Sequence, residues 1–291
     1  MFKPKFTLST SIISNLTQIE RLYGQLEGLR IPQKLELNLE RDHLIKSTYI
    51  SNSIEGNSLS LPEVTNLLLG DRIPTNHDER EVKNYFDLLK SLDIYVDKPI
   101  TISTITGIHA RLLESVDNKI AGNIRNTAVI VGGYETKNGV QKLRIKHEPP
   151  FHKKSEIEQI LVELLEWVQN DTETSPLLKV GVFHHQYVYI HPFADGNGRT
   201  CRLLTALIFL KYNYKINKYF VLDDYYDLDR VQYSDKLGSA DRGDKSEWLL
   251  YFTNGVKYSL QSALGRIESA MQTEKVIDRP TAKEQKILFY L

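Results

Sequence analysis

His191-Pro192-Phe193-Ala194-Asp195-Gly196-Asn197-Gly198-Arg199-Thr200-Cys201-Arg202 is the stretch from which the rest of the chain is read. One apolar helical run, Leu177 to Ile190, leads into it and a second, Gly198 to Tyr212, opens within it. Gly196-Asn197-Gly198 can take positive φ, so backbone N–H groups can converge into a nest where a helix start leaves its first amides unpaired. Arg199 and Arg202, three apart, share one face of that first turn, where the positive end of the helix dipole disfavours cations unless an anion sits among them. The pattern predicts a di- or triphosphate held by the nest and both guanidinium forks. Asp195 places a carboxylate beside those phosphates, as a Mg²⁺ site needs, and His191 is left to take a proton from an incoming hydroxyl. A purely structural role as a tight connection is disfavoured, because four charged or titratable groups converging at a helix start gain nothing from packing.

Outward from this stretch the dominant period is helical. Ser60 with Glu63, Asn76 with Glu79, Ser155 with Glu158 and Thr281 with Glu284 have the spacing of capping boxes. Val82, Phe86, Leu89, Leu92 and Val96 form one apolar stripe, which predicts an amphipathic helix from Glu79 to Val96. The same reading gives helices over Ser11 to Leu29, Gln33 to Ile54, Thr104 to Leu113, Ile157 to Gln169, Leu177 to Ile190, Gly198 to Tyr212 and Ser246 to Thr273. Ala128 to Val131 and Leu143 to Lys146 are β-type runs joined through Gly132-Gly133 and Lys137-Asn138-Gly139, so Asn126 to His147 is expected to form a β-hairpin flap. After Asp278-Arg279-Pro280, Thr281 opens a helix still running at Leu291, which predicts the start of a further, truncated module.

The bulk numbers exclude several classes. A chain of 291 residues can bury a substantial core, and nowhere do about 18 apolar residues run together as a membrane span requires. Thr7, Ser9, Thr10 and Ser11 interrupt any secretory h-region, and Cys201 is the one cysteine, so the expected location is cytoplasmic. Lys and Arg balance Asp and Glu at 37 each, so no global field attracts nucleic acid or lipid, and any polyanion needs a local site.

The signature stretch resembles that of the Fic (Fic/Doc) family, His-Pro-Phe-x-Asp-Gly-Asn-Gly-Arg-x-x-Arg, which it matches at every fixed position. The resemblance implies a mainly α fold, with a Fic-type helical core, a β-hairpin flap and an N-terminal helical region. It also implies a nucleotidyltransferase that moves AMP from Mg·ATP to a Ser, Thr or Tyr hydroxyl of a target protein. By the same resemblance His191 is the base, Phe193 the structural anchor and Asp195 the Mg²⁺ ligand. Gly196, Asn197 and Gly198 cradle the α- and β-phosphates, and Arg199 and Arg202 hold the β- and γ-phosphates. Gly122-Asn123-Ile124-Arg125 and His147-Glu148-Pro149-Pro150 are similar to the family's entry to and exit from a flap that aligns the target by strand addition. Tyr233, and Asp241 with Arg242-Gly243, are similar to its nucleoside-side wall, with Ser234 and Asp241 as departures. Ser51, Glu55 and Gly56, in Ser51-Asn52-Ser53-Ile54-Glu55-Gly56-Asn57, resemble an inhibitory motif, whose carboxylate is expected to pair with Arg202.

The domain layout expected is an N-terminal helical region over 1–100 with the inhibitory motif, a Fic catalytic core over 101–240, and a C-terminal helical region over 241–277. Residues 278–291 would begin a winged-helix module. The expected partners are ATP, a target protein, and the chain itself, as a modification target or in a homodimer. DNA would be met only through a missing C-terminal module, and a membrane not at all. Two other functions stay open: removal of AMP from a modified partner, and nucleotide sensing by a transcriptional regulator. His184 and His185 are read as packing residues, since no second metal-ligand pair accompanies them, and Cys201 occupies a variable signature position.

Overall fold

The computed structural model of the chain describes residues 2–277 apart from 71, 138, 139 and 217. The capped start at Thr281 and the module expected over 278–291 lie outside the described residues.

α1 (Thr10–Gly28) begins where Ser9 accepts a hydrogen bond from Ile12 N. It lies along α11 (Ser246–Ile277), with Asn15 Nδ2 donating to Thr253 Oγ1 at 3.1 Å and Asn254 Oδ1 at 2.9 Å. α2 (Gln33–Ile54), α3 (Leu61–Leu69) and α4 (His77–Lys90) follow and pack together. The Ser60–Glu63 capping box opens α3 as its spacing predicts. Asn76 caps α4, but Glu79 turns back to Thr75 and Arg72 instead of closing a box. The helix expected from Glu79 to Val96 is two pieces. Ser91 Oγ donates back to the Asp87 carbonyl, α4 stops at Lys90, and Leu92–Tyr95 tightens into a 3₁₀ turn.

α5 (Ile102–Leu112) leads to the hairpin of β1 (Val131–Lys137) and β2 (Val140–His147), paired antiparallel. Pairing runs up to Lys137↔Val140, so Gly132 and Gly133 lie inside β1 opposite Ile145 and Arg144 and are not a joint, while Ala128 to Ile130 precede the strand. A register shift between Val131 and Gly132 takes up the difference. Ser155 is not the cap of α6 (Lys154–Asn170): Lys153 holds that position, and the Asn126 side chain accepts from Lys154 N at 2.9 Å.

α7 (Pro176–Ile190) and α8 (Asn197–Lys211) are buried almost all round, which explains their continuous apolar runs. α9 (Asp223–Leu228) and α10 (Arg230–Ser239) are short and precede α11. One hydrophobic cluster joins Ile12 and Leu44 to Phe183, Phe209, Trp248 and Ile267, so packing is continuous across residues 100 and 240. No helix among the described residues is long and apolar enough to cross a membrane.

α7 approaches α11 closely at Gly181, whose carbonyl accepts from Trp248 Nε1 at 2.7 Å. A Cβ there would lie 2.8 Å from Leu249 Cδ2 and 2.9 Å from Phe252 Cδ1, both held in the core. Gly181→Ala is therefore expected to destabilise the chain by about 1–3 kcal/mol, read as a lower midpoint in urea at unchanged slope.

Candidate active site

The site is built on the turn between α7 and α8. α7 ends at Ile190, and His191 takes a left-handed conformation, φ 51° and ψ 64°, which costs a non-glycine residue about 1–2 kcal/mol. Arg125, 5% exposed, holds that turn from the flap's entry. Its Nε donates to the His191 carbonyl at 2.6 Å, its Nη2 to Ile190 O at 3.1 Å and its Nη1 to Thr127 O at 2.6 Å. The carbonyls that a helix end leaves without partners are thereby satisfied. Phe193 is fully buried, as the resemblance implies, and stacks on His109 with ring centroids 3.6 Å apart. His109 also accepts from Gly122 N at 2.9 Å, so its other nitrogen, Nε2, carries the proton it donates to Asp195 O at 2.9 Å. Burial lowers the His109 pKa to about 4, in keeping with this neutral role. Nothing in the sequence marks His109, which looks like one more polar residue on an apolar helix.

The Asn197 side chain also holds the loop from within. Its Oδ1 accepts from Phe193 N and its Nδ2 donates to Phe193 O, both at 2.9 Å. The side chain therefore clamps the loop with one N–H and its carbonyl oxygen, while its second N–H and the backbone N–H remain as donors. Gly196 has φ 73°, and α8 starts behind it with no side-chain cap. A helix start with uncapped amides is an anion site.

His191 is mostly buried, and its Nδ1 makes no hydrogen bond among the described residues. Burial first, and then the charge of His147, lower its pKa to about 4, so the ring is neutral at physiological pH. Arg199 and Arg202 both have side chains only 3% exposed. Arg202 donates through Nε to Ser51 Oγ at 2.7 Å, and through Nη2 to Ser51 O at 2.8 Å and Glu55 Oε1 at 2.7 Å. Ser51 and Glu55 thus converge on the arginine expected, and Gly56 closes α2 at φ 94°. A Cβ on Gly198 would stand 2.1 Å from Glu55 Oε1, so the carboxylate lies directly against the start of α8.

Arg199 has a partner that sequence reading missed. Its Nη1 lies 2.5 Å from Glu81 Oε1 on α4, and its Nη2 lies 3.7 Å from Asp195 Oδ2. Glu81 Oε2 accepts from Asn57 Nδ2 at 3.0 Å. Glu81 also gathers with His77 and Asp78, but Asp78 is taken by Ser58. The Asp195 side chain is 66% exposed, and Arg199 is its nearest charged partner among the described residues. One open carboxylate beside an anion-binding helix start suits Mg²⁺ only together with phosphate oxygens, which is how that ion is usually held.

Tyr233 and Asp241 are not open walls. Tyr233 is 6% exposed, with its hydroxyl 2.8 Å from His184 Nε2, and it stacks on Tyr226. Asp241 Oδ2 accepts from His147 Nδ1 at 2.8 Å and its Oδ1 accepts from His185 Nε2 at 3.0 Å, while Lys245 Nζ lies 2.8 Å from His185 Nδ1. Beside them lies a cavity of about 530 Å³, lined by Ile145 of the flap, Ser234, Gly238 and Ser239 of α10, and Arg242. His184 and His185 are packing residues, and burial pushes the Cys201 thiol up to about 12, which makes it inert.

A helical core carrying a His-Pro-Phe turn, an uncapped helix start and two buried arginines is a Fic-type fold with its signature assembled. Residues 99–209 match the Fic/DOC family, so this part of the chain is a Fic domain. Protein adenylyltransferase fic-1 of Caenorhabditis briggsae is 26% identical over 250 residues, covering 82% of this chain and 45% of that protein. Protein adenylyltransferase Fic of Culex quinquefasciatus is 27% identical over 219 residues, covering 71% of this chain and 41% of that protein. The chain thus spans less than half the length of these curated relatives. A solved Fic family protein from Desulfovibrio desulfuricans G20 has the same fold at a TM-score of 0.76 and 22% identity, covering 91% of this chain and 77% of that one.

His147 leads to a pH prediction. Its Nδ1 faces a carboxylate and its Nε2 faces the Tyr189 carbonyl at 2.9 Å, both acceptors, so both nitrogens must donate and the ring is an imidazolium. Burial opposes that charge, but the bonds to Asp241 and Tyr189 raise the pKa above its ordinary 6.5. Burial would likewise raise Asp241, yet the two histidines hold it down at about 2. A raised histidine stabilises fully below its unfolded pKa and loses that contribution as pH climbs through its folded value. Hydrogen exchange in 131–147, corrected for its intrinsic rate, should therefore show protection falling as pH rises from 6.5, and Asp241→Asn should remove most of that dependence.

Proposed function

We propose that the chain is a protein adenylyltransferase that transfers AMP from Mg·ATP to a Ser, Thr or Tyr hydroxyl of a protein, restrained by Glu55. The observation that carries the reading is the neutral His191 beside an uncapped helix start that holds two buried guanidinium groups. The relatives' names as protein adenylyltransferases support it. In the reaction, the target hydroxyl oxygen forms a bond to the α-phosphorus, the bond from that phosphorus to the α,β-bridging oxygen breaks, and pyrophosphate leaves. His191 takes the hydroxyl proton. The α8 amides and Arg199 and Arg202 match the phosphate charge in place, so positioning and charge stabilisation supply most of the rate. Asp195 would hold Mg²⁺, whose chemistry is to neutralise charge on the phosphate oxygens. The hairpin's backbone would align the target as an added strand.

Glu55 occupies the phosphate's place. Its carboxylate sits against the first turn of α8 and on Arg202, where an anion gains from both the amides and the guanidinium. Nucleotide arriving with Glu55 in place loses Arg202 and is held unproductively. Removing the carboxylate removes one competitor, an effect of regulatory size, about 1–3 kcal/mol or about 5- to 150-fold.

Glu55→Gly is expected to raise labelling of protein from α-labelled ATP by that factor, and adding Arg202→Ala should abolish the gain. Unchanged or weaker labelling in Glu55→Gly removes the autoinhibition reading. His191→Ala should abolish labelling while calorimetry finds Mg·ATP affinity within a few-fold of the parent; equal loss of both would reject His191 as the base. No label on any protein from any variant, with nucleotide still bound, would leave a nucleotide sensor.

A further inference from the structure

Arg199 stands between two carboxylates, and the structure shows which one takes it. Glu81 Oε1 is in ion-pair contact with Nη1 at 2.5 Å, whereas Asp195 Oδ2 stays 3.7 Å from Nη2, beyond hydrogen-bond length. The carboxylates also differ in setting. Glu81 projects from the second turn of α4, is 10% exposed, and has its second oxygen fixed by Asn57. Asp195 lies in the loop, 66% exposed.

We infer that Glu81 is a positioning residue that keeps Arg199 off Asp195, leaving the Asp195 carboxylate free for a divalent cation. This rests on the reading of Asp195 as the cation ligand. Without Glu81, a guanidinium 3% exposed would keep its charge with no adjacent counterion, and the nearest carboxylate within reach is Asp195. Closing that gap would occupy the oxygen the cation needs, and Arg199 would bring an uncompensated positive charge next to the cation. Both effects weaken cation binding, so the sign is settled even though Coulomb attraction alone would let free nucleotide bind as well or better.

Glu81 and Glu55 therefore have opposite roles despite identical chemistry. Glu55 ends a helix and its side chain is 32% exposed, so it can leave Arg202. Glu81 is enclosed and cross-linked to the segment after Gly56 through Asn57, so it stays.

The test is calorimetric and uses the full chain with a non-hydrolysable ATP analogue, once with Mg²⁺ and once with a chelator. Its readout is the factor by which Mg²⁺ tightens binding. Glu81→Gln keeps the side chain's shape and an acceptor for Asn57, and should shrink that factor by about 10-fold or more, the usual effect of losing a residue that orients a metal ligand. Affinity in chelator should be unchanged or higher, a split that general unfolding would not produce. Should Glu81→Gln fold poorly, Glu81→Asp retains the charge but withdraws it by one methylene, and a smaller loss in the same direction is expected. Asp195→Ala should abolish the Mg²⁺ factor. An unchanged factor there overturns the cation reading and this inference with it. An unchanged factor in Glu81→Gln and in Glu81→Asp, with Asp195→Ala deficient, overturns this inference alone. Stronger labelling in Glu81→Gln at an unchanged factor also overturns it, making Glu81 a second inhibitory carboxylate.

Discussion

Two guanidinium groups buried at the start of α8 need anionic partners, which two carboxylates from the N-terminal region supply in this structure, and that need ties the N-terminal helices to the signature loop. A buried cation left with neither carboxylate nor phosphate costs a domain about 3–5 kcal/mol, a large part of ordinary stability. Arg199 and Arg202 are both closed off from water, so α2 and α4, which carry Glu55 and Glu81, cannot be a detachable regulatory appendage. They complete the electrostatics of α8 while sharing its hydrophobic core. Charge matching, more than apolar packing, decides where the end of α2 lies: Ser51 and Glu55 both reach Arg202, and Gly198 is small enough to admit the carboxylate.

The loop itself is held by groups that have no other outlet. A left-handed His191 is unfavourable alone, and Arg125 offsets this by donating to the last carbonyls of α7. His109 ties Gly122 to Asp195 through its two ring nitrogens and stacks on Phe193, while Asn197 closes a two-bond clamp on the Phe193 backbone. The route into the flap and the route into α8 therefore share one set of fasteners. The flap's exit has its own, the imidazolium of His147 on Asp241 and Tyr189. A hairpin joined to the core at both ends by charged hydrogen bonds can present its backbone to a partner strand without losing its position relative to His191.

How much of this was legible in the sequence follows from range. The signature is local: its glycines, arginines and carboxylate act within one turn, so spacing alone predicts an anion site at a helix start. The period places α2 to the residue and α1 to within one residue at each end, and the buried α7 and α8 are visible as continuous apolar runs. Glu55 was legible only through its resemblance to an inhibitory motif. Contacts between distant residues left no local trace, so Glu81, His109 and the hydrogen bonds of Arg125 were not seen. The Asn197 clamp is equally hidden, because a side chain inside a phosphate-binding motif looks like a ligand alone, whereas its amide here also satisfies buried backbone. The burial of Tyr233 has no local sign either, since aromatic residues on a short helix do not tell which face is covered. The α4 stripe failed at Ser91, where one hydroxyl competes for a helix carbonyl.

The end of α2 shows how a carboxylate can be held on Arg202 and still be free to leave. Arg230, at the start of α10, donates to the Ser53 carbonyl and to Ser53 Oγ, both at 2.9 Å, so the last turn of the helix is fastened from the side of the flap cavity. Gly56 then turns the chain out at positive φ, and Asn57 fastens the next residue to Asp78 and Glu81. The backbone on either side of Glu55 is therefore pinned, and releasing Arg202 requires no unwinding, only rotation of a side chain that already meets water. What opposes that rotation is one ion pair with partial solvent screening, together with the favourable field at the start of α8. The polyphosphate of a nucleotide carries more negative charge than one carboxylate and offers more acceptor oxygens to the same amides and guanidinium. On the proposed reading it would therefore compete for the site Glu55 holds, and the restraint would be graded by nucleotide concentration.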